Sequence, residues 1–138
     1  MQKFHLAWDE SRHTLGIASI DGQHRELIDM VNALVEAVEQ DCDCERARLQ
    51  MEHLIRFTQG HFAHEEEMMH RYDFPEREKH ALEHKEVLRQ AITMLDNFKA
   101  DDINRAMLVT AFLTDCAENH ILNEDRELTV FLQGKGLS

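Results

Sequence analysis

Residues 61–84 read HFAHEEEMMHRYDFPEREKHALEH. Two pairs of potential donors stand in this stretch, His61 with Glu65 and His80 with His84, each pair four residues apart. Residues four apart share one face of an α-helix, one above the other. Between the pairs lies Asp73-Phe74-Pro75, and a helix does not run smoothly into a proline. The stretch therefore predicts the end of one helix, a reversal, and the start of the next. In two antiparallel helices, residues equidistant from the turn share a height, because each rises about 1.5 Å per residue. The midpoint of Glu65 and His84 falls at 74 to 75, inside the turn.

The same arithmetic extends outward twice. The midpoint of His24 and His61 is 42 to 43, within Asp41-Cys42-Asp43-Cys44. That of His84 and His120 is 102, in Lys99-Ala100-Asp101-Asp102. Three turns in register thus predict His24, His61, Glu65, His80, His84 and His120 at one level. Asp125 follows His120 by five residues, a spacing off the 3.6 period. Both face inward only if the last helix stops, loosens or bulges near Leu122 to Glu124.

Apolar periodicity supplies the rest of the architecture. A first long helix is expected from Ser19 or Asp21 to Gln40, turning Leu27, Val31, Leu34 and Val38 inward. A second is expected from Cys44 to Tyr72, with Leu54, Phe57 or Thr58, His61, Glu65, Met68 and Tyr72 inside. A third should start near Pro75 and end near Phe98, burying His80, His84, Val87 or Leu88, Ala91 and Leu95. A fourth should start near Ile103, capped by Asp101 or Asp102, and carry Met107, Thr110, Leu113, Ala117 and His120. Short connections make neighbours antiparallel. The expected fold is all-α, an up-down-up-down four-helix bundle over residues 19–133. An N-terminal arm, residues 1–18, precedes it, its Phe4, Leu6, Trp8 and Leu15 packing on the bundle without helical period. The whole chain, 1–138, reads as one domain.

The composition excludes several functions. Fifteen Lys and Arg against 27 Asp and Glu leave a net charge of −12, which disfavours nucleic acid and anionic membrane surfaces as partners. There is no apolar run of about 18 residues to span a bilayer, and the first 19 residues lack the apolar core of a signal peptide. Three cysteines, Cys42, Cys44 and Cys116, do not form a disulfide framework and suggest a reducing cytoplasm. Cys42-Asp43-Cys44 has too narrow a gap for the usual zinc pair and reads as an exposed turn.

Seven ionisable side chains on faces that should be apolar need a reason. A buried carboxylate without a partner costs several kcal/mol or becomes neutral. Cations between them supply the reason, and imidazole with carboxylate suits iron, manganese or zinc. Seven donors are too many for one tetrahedral zinc. They suit two octahedral ions with bridging carboxylates, a solvent-derived oxygen and one open position. Protons compete for the imidazoles, so acid should release metal, steeply below about pH 6.5. His5, His13, His53, His64 and His70 do not share the level and read as surface or arm residues. Glu66 and Glu67 read as a solvated acidic face.

The chain resembles the hemerythrin family, and the bacterial single-domain members most closely. The resemblance runs through Trp8, Gly16-Ile17, Asp21-Gly22-Gln23-His24, His61-Phe62 with Glu65-Glu66 and Met69, Pro75, His80 with His84, and His120-Ile121 with Asp125. It implies a four-helix bundle around a non-haem di-iron centre with a bridging oxo or hydroxo group. His80, His84 and His120 would hold one iron and His24 and His61 the other, with Glu65 and Asp125 bridging. The second iron, having fewer protein ligands, would keep the open position. Reversible dioxygen binding for storage, delivery or sensing is the implied role, with other small diatomic or anionic ligands as alternatives. A di-iron oxidase or peroxidase, a nitric-oxide-consuming enzyme and an iron store are the rival uses. One departure is Cys116-Ala117, where many bacterial members carry a Trp-Leu pair; its smaller side chains imply easier entry of solvent.

Overall fold

The computed structural model describes residues 10–39, 44–96, 111–112, 114–115 and 119–138. They form α1 (Glu10–His13), α2 (Ala18–Glu39), α3 (Cys44–Arg71), α4 (Arg77–Asp96), a π-helical segment (His120–Asp125) and α5 (Arg126–Gly134). There is no strand among them. The architecture is the expected all-α four-helix bundle, its fourth helix built from the π segment and α5 with the helical residues just before them. The start expected for that helix near Ile103, the stripe from Met107 to Ala117, the aromatics Phe4 and Trp8, and Cys42 and Cys116 lie outside the described residues.

Helix ends follow local chemistry. α3 stops where Asp73 takes φ 54°, so that the Phe74 N–H reaches the Met69 carbonyl at 2.9 Å and the Asp73 N–H reaches the His70 carbonyl at 3.4 Å. This closure satisfies carbonyls that the helix end would leave open. Pro75 was expected in the first turn of the third helix. It sits instead in the turn itself, and α4 begins at Arg77, with the His80 N–H bonded to the Glu76 carbonyl. α5 closes in the same manner as α3 through Gly136, φ 93°.

At the other end of the chain, the Asp21 carboxylate accepts the N–H groups of Leu15 (2.8 Å) and Gly16 (3.0 Å). Gly16, with φ 102°, lies against Gln133, whose amide donates to the Leu15 carbonyl at 3.1 Å. The arm is thereby fastened to α2 and α5 together. Part of it is helical, which a four-residue segment has too little length to announce as a period.

Two apolar clusters hold the helices. One joins Leu27, Val31, Leu34 and Val38 of α2 to Met51, Leu54 and Ile55 of α3 and Ala91 of α4. The other joins Ile17, Ile20, Met69, Phe74, Leu128 and Leu132. Met69, not Met68, carries the α3 stripe past Glu65; Met68 and Tyr72 are half-buried. The space between the clusters is occupied by ionisable side chains.

Candidate metal centre

His24 stands between Ile20 and Leu27 on the buried face of α2. His61 and Glu65 interrupt the apolar stripe of α3, and His80 and His84 that of α4. Asp125 closes the π segment. All six side chains are buried. The π segment answers the five-residue spacing: its wider turn pairs residues five apart, as an α-helix pairs residues four apart. The loosening expected near Leu122 to Glu124 is therefore present in the backbone. The side chains of His120 and Ile121 lie outside the described residues.

The two carboxylates divide their oxygens between two sets of imidazoles. Glu65 Oε2 faces His61 Nε2 at 3.1 Å and His24 Nε2 at 3.6 Å. Its Oε1 faces His84 Nε2 at 3.0 Å and His80 Nε2 at 3.5 Å. Asp125 Oδ2 faces His24 Nε2 at 2.5 Å and His61 Nε2 at 3.6 Å, while Oδ1 faces His80 Nε2 at 3.2 Å. Two groups of four donors result, His24-His61-Glu65-Asp125 and Glu65-His80-His84-Asp125, within each of which the ligand atoms lie inside 4.8 Å of one another. Each group could hold a metal ion, and the carboxylates belong to both. Each of the four described imidazoles presents Nε2 to the centre, which is the arrangement a metal requires when Nδ1 is engaged elsewhere.

Two such engagements are visible. His61 Nδ1 is 2.7 Å from Gln23 Oε1, and His84 Nδ1 is 2.9 Å from Glu66 Oε2. An amide or carboxylate oxygen can only accept, so Nδ1 carries a proton, and Nε2 is the nitrogen that can turn a lone pair to a metal once its own proton leaves. The reading of Glu66 as merely solvated is thus corrected: its carboxylate orients a buried ring. Gln23, which enters the sequence reading only as part of the Asp21-Gly22-Gln23-His24 motif, likewise orients a buried ring. Phe62 stacks on the His84 ring, centroids 3.8 Å apart and planes within 4°.

Burial lowers the proton affinity of His61 and His80, but Glu65 and Asp125 outweigh it and push both up to about 9. The cause is the close approach of two carboxylates to rings shielded from water. Burial together with a hydrogen bond to Glu124 holds the Glu83 carboxyl above its ordinary range. Glu83, Glu124 and Lys79 border a cleft of about 190 Å³ that reaches His80 from solvent.

The remaining histidines stand apart. His53 and His70 are exposed, and His64 bonds Ser19 Oγ at 3.2 Å. His13, expected on the surface or in the arm, is in the arm but only 1% exposed. His5 lies outside the described residues. No helix among the described residues is long and apolar enough to cross a membrane.

Comparison with known proteins identifies a family of cation-binding domains. A sequence model of the hemerythrin HHE cation binding domain matches residues 15–132. A bacteriohemerythrin of Pseudomonas paraeruginosa is 30% identical over 122 residues, 88% of this chain and 77% of that protein. One of Ralstonia nicotianae is 28% identical over 131 residues, 95% of this chain and 91% of that protein. The crystal structure of a wild-type hemerythrin matches with a TM-score of 0.77 at 21% identity, over 92% of this chain and 97% of that one, a likeness of fold.

Proposed function

The chain belongs to the hemerythrin family, and we propose that it binds dioxygen reversibly at a non-haem di-iron centre. The observation that carries the reading is the division of Glu65 and Asp125 between two imidazole sets. His24 and His61 would hold one iron, and His80, His84 and, by family resemblance, His120 the other, with Glu65 and Asp125 available to both. The iron pair, with its oxo or hydroxo group, would supply the electrons and the open position that a small ligand needs.

The protein's own residues do the rest. Gln23 and Glu66 fix the tautomers that leave Nε2 free for metal. Phe62 packs on the His61 and His84 rings, and Leu27 and Ile28, within about a turn of His24, are buried; these apolar side chains would keep the ligand position dry. A dry position hinders proton entry, which favours release of the ligand unchanged. Five imidazoles with only two carboxylates donate less negative charge than the carboxylate-rich sites of ferritin-like proteins. That restrains the chemistry to binding, and the protein acts as a carrier rather than an enzyme. We place this role in the cytoplasm because three cysteines without a disulfide framework suit a reducing compartment.

The test is optical and analytical. The reduced, iron-loaded protein should hold two irons per chain and be nearly colourless. Dioxygen should produce a visible charge-transfer band that argon removes. One zinc per chain would overturn the di-iron reading. Steady oxygen consumption with a reductant, with no reversible band, would replace the carrier by an oxidase.

A further inference from the structure

The two donor groups use the same kinds of ligand, but the outer partner of His61 in one and that of His84 in the other differ in charge. Behind His61, Nδ1–H donates to Gln23, a neutral amide, at 2.7 Å. Behind His84, Nδ1–H donates to Glu66, a carboxylate, at 2.9 Å. Glu66 is 43% exposed on the flank of α3, so water supports its charge while one oxygen holds the ring. Phe62 and Glu66 are four residues apart, and α3 therefore presents both to the same neighbour. Phe62 covers the face of the His84 ring and Glu66 takes its edge. The two contacts together fix the plane and the Nδ1 edge of the ring. A carboxylate accepting from Nδ1–H raises electron density at Nε2, whereas an amide does so much less.

We propose that Glu66 and Gln23 are positioning residues that make the two ions electronically unequal, the His80/His84 position favouring the ferric ion and the His24/His61 position the ferrous one. The inference rests on the two-iron reading above. It adds an electronic difference to the difference in ligand number that the resemblance implies. The charged partner stands behind the ion with the fuller protein shell. The neutral partner stands behind the ion that receives the ligand. On one-electron reduction of the diferric centre, the electron then settles first on the His24/His61 side.

The test is the midpoint potential of each iron, read by spectroelectrochemistry and Mössbauer spectra alongside iron content. Glu66→Gln keeps an acceptor of the same shape and removes the charge. It should retain two irons and shift the ferric preference of the His80/His84 iron about ten-fold, raising its potential by roughly 59 mV for one electron. Gln23→Glu should lower the potential of the other iron by a similar amount and narrow the gap between them. Unmoved potentials in a Glu66→Gln protein that holds two irons overturn the proposal. If Glu66→Gln loses iron, Gln23→Glu decides: a lowered potential supports the inequality and an unchanged one overturns it. A wild-type chain that does not take up two irons overturns the di-iron reading instead, a failure that iron content alone identifies.

Discussion

Raising the pH should weaken the metal-free protein and strengthen its grip on metal, and both effects have the same source. His61 and His80 titrate near 9 in the fold and near 6.5 when unfolded. Between those values the folded chain binds more protons than the unfolded one, so its stability falls as pH rises. The contribution is complete below 6.5 and is lost as the pH passes 9. Each pH unit in that window removes about 1.4 kcal/mol per histidine. The loss across it is on the order of 3 kcal/mol for each, with the two histidines sharing the same carboxylates. For a chain of this size that corresponds to a fall in Tm on the order of 10 °C.

Metal reverses the sign. A ligating imidazole must be neutral, so at pH 7 each of these rings weakens metal binding by about 100-fold, and each pH unit upward recovers about ten-fold until 9. Competition by protons thus starts two to three pH units above the onset expected from ordinary histidines. Anaerobic ferrous loading at pH 7.5 should release about two protons per chain from His61 and His80. Calorimetry in buffers of different ionisation enthalpy counts them. A metal-free protein whose Tm holds or rises from pH 6.5 to 9, or loading without proton release, would refute the reasoning.

The other predictions concern single elements. His84→Ala should cost at least the 10–100-fold in metal affinity associated with loss of an outer partner, whereas His53→Ala, at an exposed position, should leave iron content unchanged; elemental analysis distinguishes them. Gly16→Ala forces a side chain into φ 102° and against the Gln133 amide, and should cost about 1–2 kcal/mol in denaturant unfolding. Gly60→Ala, on an exposed face of α3 with nothing within 4 Å, should stabilise by about 1 kcal/mol in the same assay. Deleting Asn123, exposed within the π segment, should leave His120 and Asp125 four apart in an ordinary α-helix and preserve the iron count. Loss of both irons in that variant would mean the π turn itself is required.

What the chain disclosed in advance was its helical level, because a constant rise per residue turns sequence distance into height. His24, His61, Glu65, His80 and His84 were placed by that rule. Asp125 was legible for the opposite reason: a spacing that breaks the period demands a break in the helix, and the π segment provides it. The outer partners were not legible. Gln23 and His61 are 38 residues apart on different helices, and their contact depends on helix rotation, which height does not fix. Glu66 is next to Glu65 but bonds His84 on α4, a direction only the packed pair of helices defines. The exchange of Met68 for Met69 has the same origin, since steps of three and four both continue a stripe until Phe74 and Leu128 select one.

The position of the centre between two apolar clusters explains how the chain tolerates it. His24 lies between Ile20 and Leu27, and Glu65 precedes Met69 by one turn, as Asp125 precedes Leu128 by three residues. Each cluster joins more than one helix without the help of metal, so the ionisable layer does not have to hold the bundle together. It must only avoid uncompensated charge. Protonated His61 and His80 set two positive charges against Glu65 and Asp125 when no ion is bound. On the proposed two-metal reading, ions displacing those protons would restore the same opposition with more charge, at the Nε2 atoms. Loading would then be an exchange of protons for cations within a preformed layer, with the apolar clusters on either side keeping the donors at one height.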